Sequence, residues 1–151
     1  GTAYSSKMEL NYLDSNGKLI DVEMGCYGIG VGRLLAAVIE SGSSENQLVF
    51  NNEIAPFQIY LASLNTDKDD VKVNSEQIYN QLMDANINVL FDDRSESPGI
   101  KFNDFDFSGV PLRVVVSSRS LKNNQVEVTD KKSGSSDLID KDKLLEYLKN
   151  I

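Results

Sequence analysis

Two stretches of the chain hold side chains whose type and spacing could do chemistry. The first is "MGCYGIGVGRLLAAVIE", residues 24–40, in which Gly25, Gly28, Gly30 and Gly32 precede Arg33 and an apolar run. Glycines let a ligand approach the backbone closely, and a guanidinium on the first turn of a helix can grip phosphate oxygens through its planar fork. The stretch fails both common nucleotide loops. A P-loop needs Gly-Lys followed by Ser or Thr, and here Leu34 follows Arg33, leaving no hydroxyl for magnesium. A dinucleotide fingerprint needs a third glycine for close helix–strand packing, where this chain has Arg33. The alternative is a packing cluster of glycines with Arg33 as an ordinary surface base.

The second stretch is "FDDRSESPGIKF", residues 91–102, and it shares its mixture of polar residues with "SSRSLKNN", residues 117–124. Other chemistries are excluded by what the chain lacks. It has no histidine, which removes a Ser-His-Asp triad, an imidazole base and histidine metal ligands together. The single cysteine, Cys26, excludes an internal disulfide and a cysteine-rich zinc site, so no metal site is expected and a cytoplasmic origin fits. No apolar run reaches membrane-spanning length, so no membrane partner is expected. The net charge of −8 argues against a general nucleic-acid coat. One basic stretch stands out: Arg113, Arg119, Lys122, Lys131 and Lys132 meet only Glu127 and Asp130. That unevenness suits contact with RNA on one face.

Elements must position these residues. "KMELNYL" and "LIDVEM" read as hairpin strands around "DSNG", with Asn16-Gly17 as the turn signal. "GRLLAAVIE" switches to helical spacing, with Leu34, Ala37 and Val38 on one side. The polar, serine-rich "SGSSENQLVFNN" marks a linker. Beyond it, "FQIYLASL" is a strand and "DVKVNSEQIYNQLMDAN" a helix with Val73, Ile78, Leu82 and Ala85 on its apolar face. "INVLFDD" is a strand, "PGIKFNDFDFSG" a helix opened by Pro98 and stopped by Gly109, and "PLRVVVSS" and "QVEVTDKK" are strands. "DKDKLLEYLKN" closes the chain as a helix with Leu144, Leu145 and Leu148 inward. This order predicts an α/β fold, a mixed, largely parallel sheet flanked by helices and preceded by a β-hairpin–helix unit. In such sheets ligands bind beyond the carboxyl ends of the strands, where both polar segments fall.

The residues 24–40 resemble motif 3 of class II aminoacyl-tRNA synthetases, in the version found in bacterial-type prolyl-tRNA synthetases. "GTAYSSKMELNYLDSNGK" is similar to the strand pair before that motif. "EIAPFQIYL", "DDRSESPGIKFNDFDFSGVPLRVVV" and "VEVTDKK" resemble blocks of the anticodon-binding domain of the same family, in the expected order. The resemblance implies three parts: 1–41 as the end of a class II catalytic domain, 42–52 as a linker, and 53–151 as an anticodon-binding domain. It also implies that the chain is a piece of a longer protein, a homodimer that activates proline with ATP and Mg²⁺ and transfers it to tRNA(Pro). The remainder of the catalytic domain is then an expected partner, and no tightly bound cofactor is expected in this piece.

The resemblance places Arg33 on the ATP phosphates, with Gly25, Cys26, Gly28 and Gly30 lining the substrate pocket. Cys26 by itself reads as a small buried apolar side chain. Proline anticodons carry two guanines, whose O6 and N7 accept from Arg or Lys and whose N–H groups need a carboxylate. Arg94, Glu96, Lys101, Phe102 and Asp104 are therefore the expected anticodon contacts, with Lys101 projecting toward the RNA, while Phe105 and Phe107 are expected in the core. Where the family often has Trp-Pro this chain has Phe50-Asn51, and where it often has glycine it has Ser117 and Asn124. Asparagine tolerates positive φ, so that turn should survive. Rival readings are the anticodon domain of a histidyl, threonyl or glycyl synthetase, or a non-catalytic accessory module of the same fold.

Overall fold

The hairpin around Asn16-Gly17 forms. In a computed structural model of the chain, which describes residues 1–44, 47–50 and 52–149, β1 (Asn11–Leu13) pairs antiparallel with β2 (Leu19–Asp21). The Asp14 carboxylate fixes the turn by accepting from the N–H groups of Asn16 and Lys18, each at 2.8 Å, and Gly17 takes a φ of +76°. The first strand is shorter than expected. Ser6–Met8 form a single 3₁₀ turn, and Glu9 at φ +53° redirects the chain before Asn11. Helix α1 (Val31–Gly42) follows. The chain divides into two compact units, Gly1–Leu35 and Ala36–Ile151, so the division falls inside α1.

The first unit has almost no interior. Ser5 is its one buried residue among those described, and Tyr12, Leu13, Leu19, Tyr27, Ile29 and Leu34 are each more than half exposed. No residue of α1 is buried.

The second unit is built on one sheet. Its strands are β3 (Ile59–Ser63), β4 (Val89–Asp92), β5 (Leu112–Val116), β6 (Gln125–Asp130) and β7 (Ser136–Asp140). They lie in the order β4-β3-β5-β6-β7. β3 is parallel to both β4 and β5, whereas β6 and β7 join antiparallel. The sheet is mixed, with its parallel half at β4-β3-β5. β7 is absent from the order read off the sequence. "SDLID" turns Leu138 outward, 59 % exposed, and only Ile139 packs on the core, so its apolar signal is too short to stand out.

Alternation along the strands splits the core into two layers. Ile59, Leu61, Val114, Val116, Val126 and Val128 share one face with α2 (Asp69–Asp84) and α5 (Leu144–Leu148). Tyr60, Ala62 and Val115 share the other with Phe105 of α3 (Pro98–Phe107). On α2 the buried residues are Val71, Ser75, Ile78 and Leu82, spaced for one stripe, and Val73 lies off it, half exposed. Helix α3 starts as its sequence dictates, with Pro98 in the first turn and Ser97 Oγ accepting from the Ile100 N–H. Between β5 and β6 sits a one-turn helix, α4 (Ser118–Leu121), held by reciprocal Ser117 and Ser120 caps. Four residues are too few to show a helical period in the sequence.

The segment expected to be a linker is tied down at the residues described. Leu48 N–H donates to Asp106 O at 2.8 Å and Phe50 N–H to Gly109 O at 3.0 Å. Gly109 has a φ of +76°, and a Cβ there would lie 2.4 Å from two carbons of the Phe50 ring. Glu45, Asn46 and Asn51 of that segment, and Asn150 and Ile151 at the end, lie outside the described residues. Asn124, one of the positions read as a glycine substitute, does adopt φ +55°. Its amide then donates to Asp140 and Asp142 at 3.2 and 2.9 Å.

Candidate functional site

The parallel strands β3, β4 and β5 all end on the same edge of the sheet, and a charged cluster stands at the end of β4. Asp92, the last residue of that strand, is 6 % exposed. Its Oδ1 accepts from Arg94 Nε at 2.9 Å, and its Oδ2 accepts from Arg94 Nη2 at 2.7 Å and from the Tyr60 hydroxyl at 2.5 Å. Arg94 Nη2 also donates to Asp104 Oδ2, at 2.6 Å, from the second turn of α3. Burial pushes the Asp92 carboxyl up, but the bonds from Arg94 and Tyr60 and the nearby Lys101 charge hold it well below the usual carboxylate range. Burial and the same carboxylate push the Tyr60 hydroxyl up.

Two acids thus set the orientation of one arginine. The Arg94 side chain is half exposed, as is that of Asp104, and together they border a cavity of about 270 Å³ with Tyr60, Leu90 and Ser108. A guanidinium held at both sides presents fixed donors beside a carboxylate acceptor, the combination a guanine edge needs. Glu96 is exposed on the same loop. Tyr60 and Asp92 were not among the residues expected here. Tyr60 is 32 residues from Asp92 in the chain, and no local pattern links them.

Three expectations are corrected. Lys101 does not project. It is fully buried, with its Nζ donating to Ser63 O at 2.8 Å and Asp92 O at 3.1 Å, and lying 3.5 Å from Asp92 Oδ1. The ammonium caps the carbonyls at the ends of β3 and β4, and so supports the site from beneath. Phe107 is 56 % exposed, and of that pair only Phe105 is core. Cys26 is exposed, because the first unit has no layer of its own to cover it. Phe102 is partly buried, and its ring lies 4.0 Å beneath the Arg113 guanidinium.

The basic stretch also contracts on folding. The Arg113 side chain is 12 % exposed and donates to Thr129 Oγ1, and Lys131 is 5 % exposed. Lys131 Nζ donates to Phe105 O at 2.5 Å and Leu48 O at 3.1 Å, and sits 4.0 Å over the Phe105 ring. Two of the five bases are therefore interior, and Arg119, Lys122 and Lys132 are left outside. Burial pushes the Lys131 ammonium down to about 8 despite the attraction of Asp106. Its folded value lies below the unfolded 10.5, so between them the unfolded chain binds the extra proton and stability rises with pH. Relative to Lys131→Met, the parent chain should gain about 2–3 kcal/mol between pH 7 and 10.5. Urea unfolding of both at several pH values measures the difference.

In the first unit, Arg33 is exposed on the opening turn of α1, where Leu34 N–H donates to Gly30 O at 2.8 Å. A Cβ at Gly30 would lie 3.0 Å from Arg33 Nε, so the guanidinium end of Arg33 lies close over the Gly30 backbone. Gly25 and Gly28 are exposed. Among the described residues no three carboxylate or thiol groups converge as a metal site, and no helix is long and apolar enough to cross a membrane.

The chain is 47 % identical over 139 residues to a "Proline--tRNA ligase" of a Geobacter species, covering 92 % of this chain and 24 % of that protein. It is 41 % identical over 148 residues to one from Persephonella marina, covering 98 % and 26 %. With one from Staphylococcus epidermidis it shares 42 % identity over all 151 residues, again 26 % of the relative. The chain thus spans about a quarter of the length of the curated relatives it matches. A family model described as an anticodon binding domain matches residues 58–151, the stretch that contains all five strands of the second sheet, and the chain belongs to that family.

Proposed function

We propose that this chain is the C-terminal part of a prolyl-tRNA synthetase, and that its second unit reads the anticodon of tRNA(Pro). The observation that carries the reading is the Arg94–Asp104 pair at the carboxyl end of β4, inside the region matched by the anticodon-binding family. Donor and acceptor stand side by side there, locked by Asp92 and Tyr60, and unpaired guanines present the complementary groups. Lys101 acts on this site indirectly, by holding the strand ends on which Asp92 and Arg94 stand.

In the parent enzyme, Arg33 holds the phosphates of ATP, and the glycines before it line the substrate pocket with Cys26. Mg²⁺ would accompany the ATP as part of the substrate. Activation of proline and its transfer to tRNA need the remainder of the catalytic domain, which also covers the apolar face of the first unit. The parent works in the cytoplasm as a homodimer.

The test is binding of an RNA hairpin that carries the proline anticodon, beside hairpins in which either guanine is replaced by adenine. Arg94→Ala should weaken the cognate hairpin by about 1–3 kcal/mol and reduce discrimination at one of the two positions. Equal affinity of the parent chain for all hairpins would refute anticodon reading at this site.

A further inference from the structure

The strand order creates a second place where a ligand could sit. β3 leads through α2 toward β4 on one side of it, and β5 leads through α4 toward β6 on the other. The segments leaving these two adjacent parallel strands diverge, and open α/β sheets bind ligands in the crevice that such a divergence leaves. A crevice of about 320 Å³ is present there. Lys68, Asp70 and Asn74 line it from the β3 side, and Ser118 and Lys122 from the β5 side, with Lys141 beside them.

Its charge runs against that of the chain. Three lysines meet one aspartate, in a protein of net charge −8. Lys141 is engaged, its Nζ donating to Asn74 Oδ1 at 2.6 Å. The ammonium groups of Lys68 and Lys122 have no ion-pair or hydrogen-bond partner among the described residues. Ser118 Oγ is buried and likewise has no partner there. The acids of the neighbouring turn, Asp140 and Asp142, accept from Asn124. The unused groups are therefore two cations and a hydroxyl. An anion with several acceptor oxygens satisfies all three, whereas a base edge with its own donors does not.

We propose that the crevice between the ends of β3 and β5 seats a backbone phosphate of RNA, with Lys68 and Lys122 as its cations and the Ser118 hydroxyl as a donor. The inference rests on the RNA-binding reading above and adds a contact that reads no base. It lies on the same sheet edge as Arg94, so one strand of RNA can engage both.

The experiment measures hairpin binding by the full chain at several KCl concentrations, for the parent, Lys68→Gln/Lys122→Gln and Lys68→Arg/Lys122→Arg. The glutamine pair should bind every hairpin about tenfold more weakly at low salt, and its slope of log affinity against log salt should fall by about 1–2. The arginine pair should keep the slope. Far-UV circular dichroism checks that both variants fold. An unchanged slope in the glutamine pair overturns the phosphate site while leaving anticodon reading intact. A loss confined to one loop sequence overturns it too, since a phosphate contact is indifferent to sequence. Inorganic phosphate that competes more strongly than chloride at equal ionic strength reassigns the crevice to a free anion. If the parent chain binds no hairpin, the RNA reading fails and this inference fails with it.

Discussion

Lys101→Met is expected to lower the unfolding free energy of the chain by about 3–5 kcal/mol, the largest loss of any single substitution considered for this protein. The methionine keeps the length and apolar stem of the lysine but offers no donors. Two carbonyls at the ends of β3 and β4 lose a charged donor at 2.8 and 3.1 Å, and the Asp92 carboxylate loses a cation at 3.5 Å. Hydrogen bonds to charged donors contribute about 1.5–3 kcal/mol each, and Asp92 retains Arg94 and Tyr60, which limits the cost. Arg94→Ala is the control. Its side chain is half exposed, so solvent screens much of what it contributes to stability. Urea unfolding followed by tyrosine fluorescence should rank the two variants in that order. If Lys101→Met instead unfolds like the parent and binds RNA poorly, the ammonium serves the ligand and not the strand ends.

On the reading proposed above, Arg33→Ala in the full-length enzyme should slow ATP-dependent proline activation by about 10²–10³-fold, the usual cost of removing one donor from a developing oxyanion. Arg33→Lys should fall between the two, because it restores the charge without the planar fork. The exposed position of Arg33 on the first turn of α1, over a glycine that leaves it room, makes a folding defect an unsuitable explanation for such a loss. ATP–pyrophosphate exchange measures activation directly, and tRNA affinity should be unchanged. Parent-like exchange by Arg33→Ala would remove the residue from the phosphate site.

How much of this was legible in the sequence differs by feature. The hairpin was, because Asn16-Gly17 admits few other turns and Gly17 needs its positive φ. The start of α3 was, because Ser97 and Pro98 are local signals that act on their own backbone. The two-layer core was legible in outline, since alternating strands between helices leave few arrangements. What failed depended on partners far along the chain. Lysine is ordinarily an exposed residue, and Lys101 is buried only because the carbonyls of Ser63 and Asp92 converge on its ammonium. Arg113 and Lys131 were counted as surface charge for the same reason. Phe105 and Phe107 differ by two positions on one helix, so they face different directions, and composition alone could not rank them. At the candidate site, Arg94 and Asp104 were expected through the family resemblance together with their residue types, whereas Tyr60 and Asp92, which hold Arg94 in place, required the register of β3 against β4.

Gly109 and Phe50 have a consequence for how sequences of this kind can drift. Gly109 is barred from carrying a β-carbon twice over, by its φ of +76° and by the Phe50 ring that would lie 2.4 Å away. A larger residue at 109 would need both a smaller side chain at 50 and a different backbone turn, so no single mutation leads there. The reverse path is open, since shrinking residue 50 leaves the glycine unstrained. Variation at the two positions should therefore be one-directional and linked: residue 50 free to vary in size only while 109 stays glycine, a covariation that would betray their contact even in sequences of unknown fold.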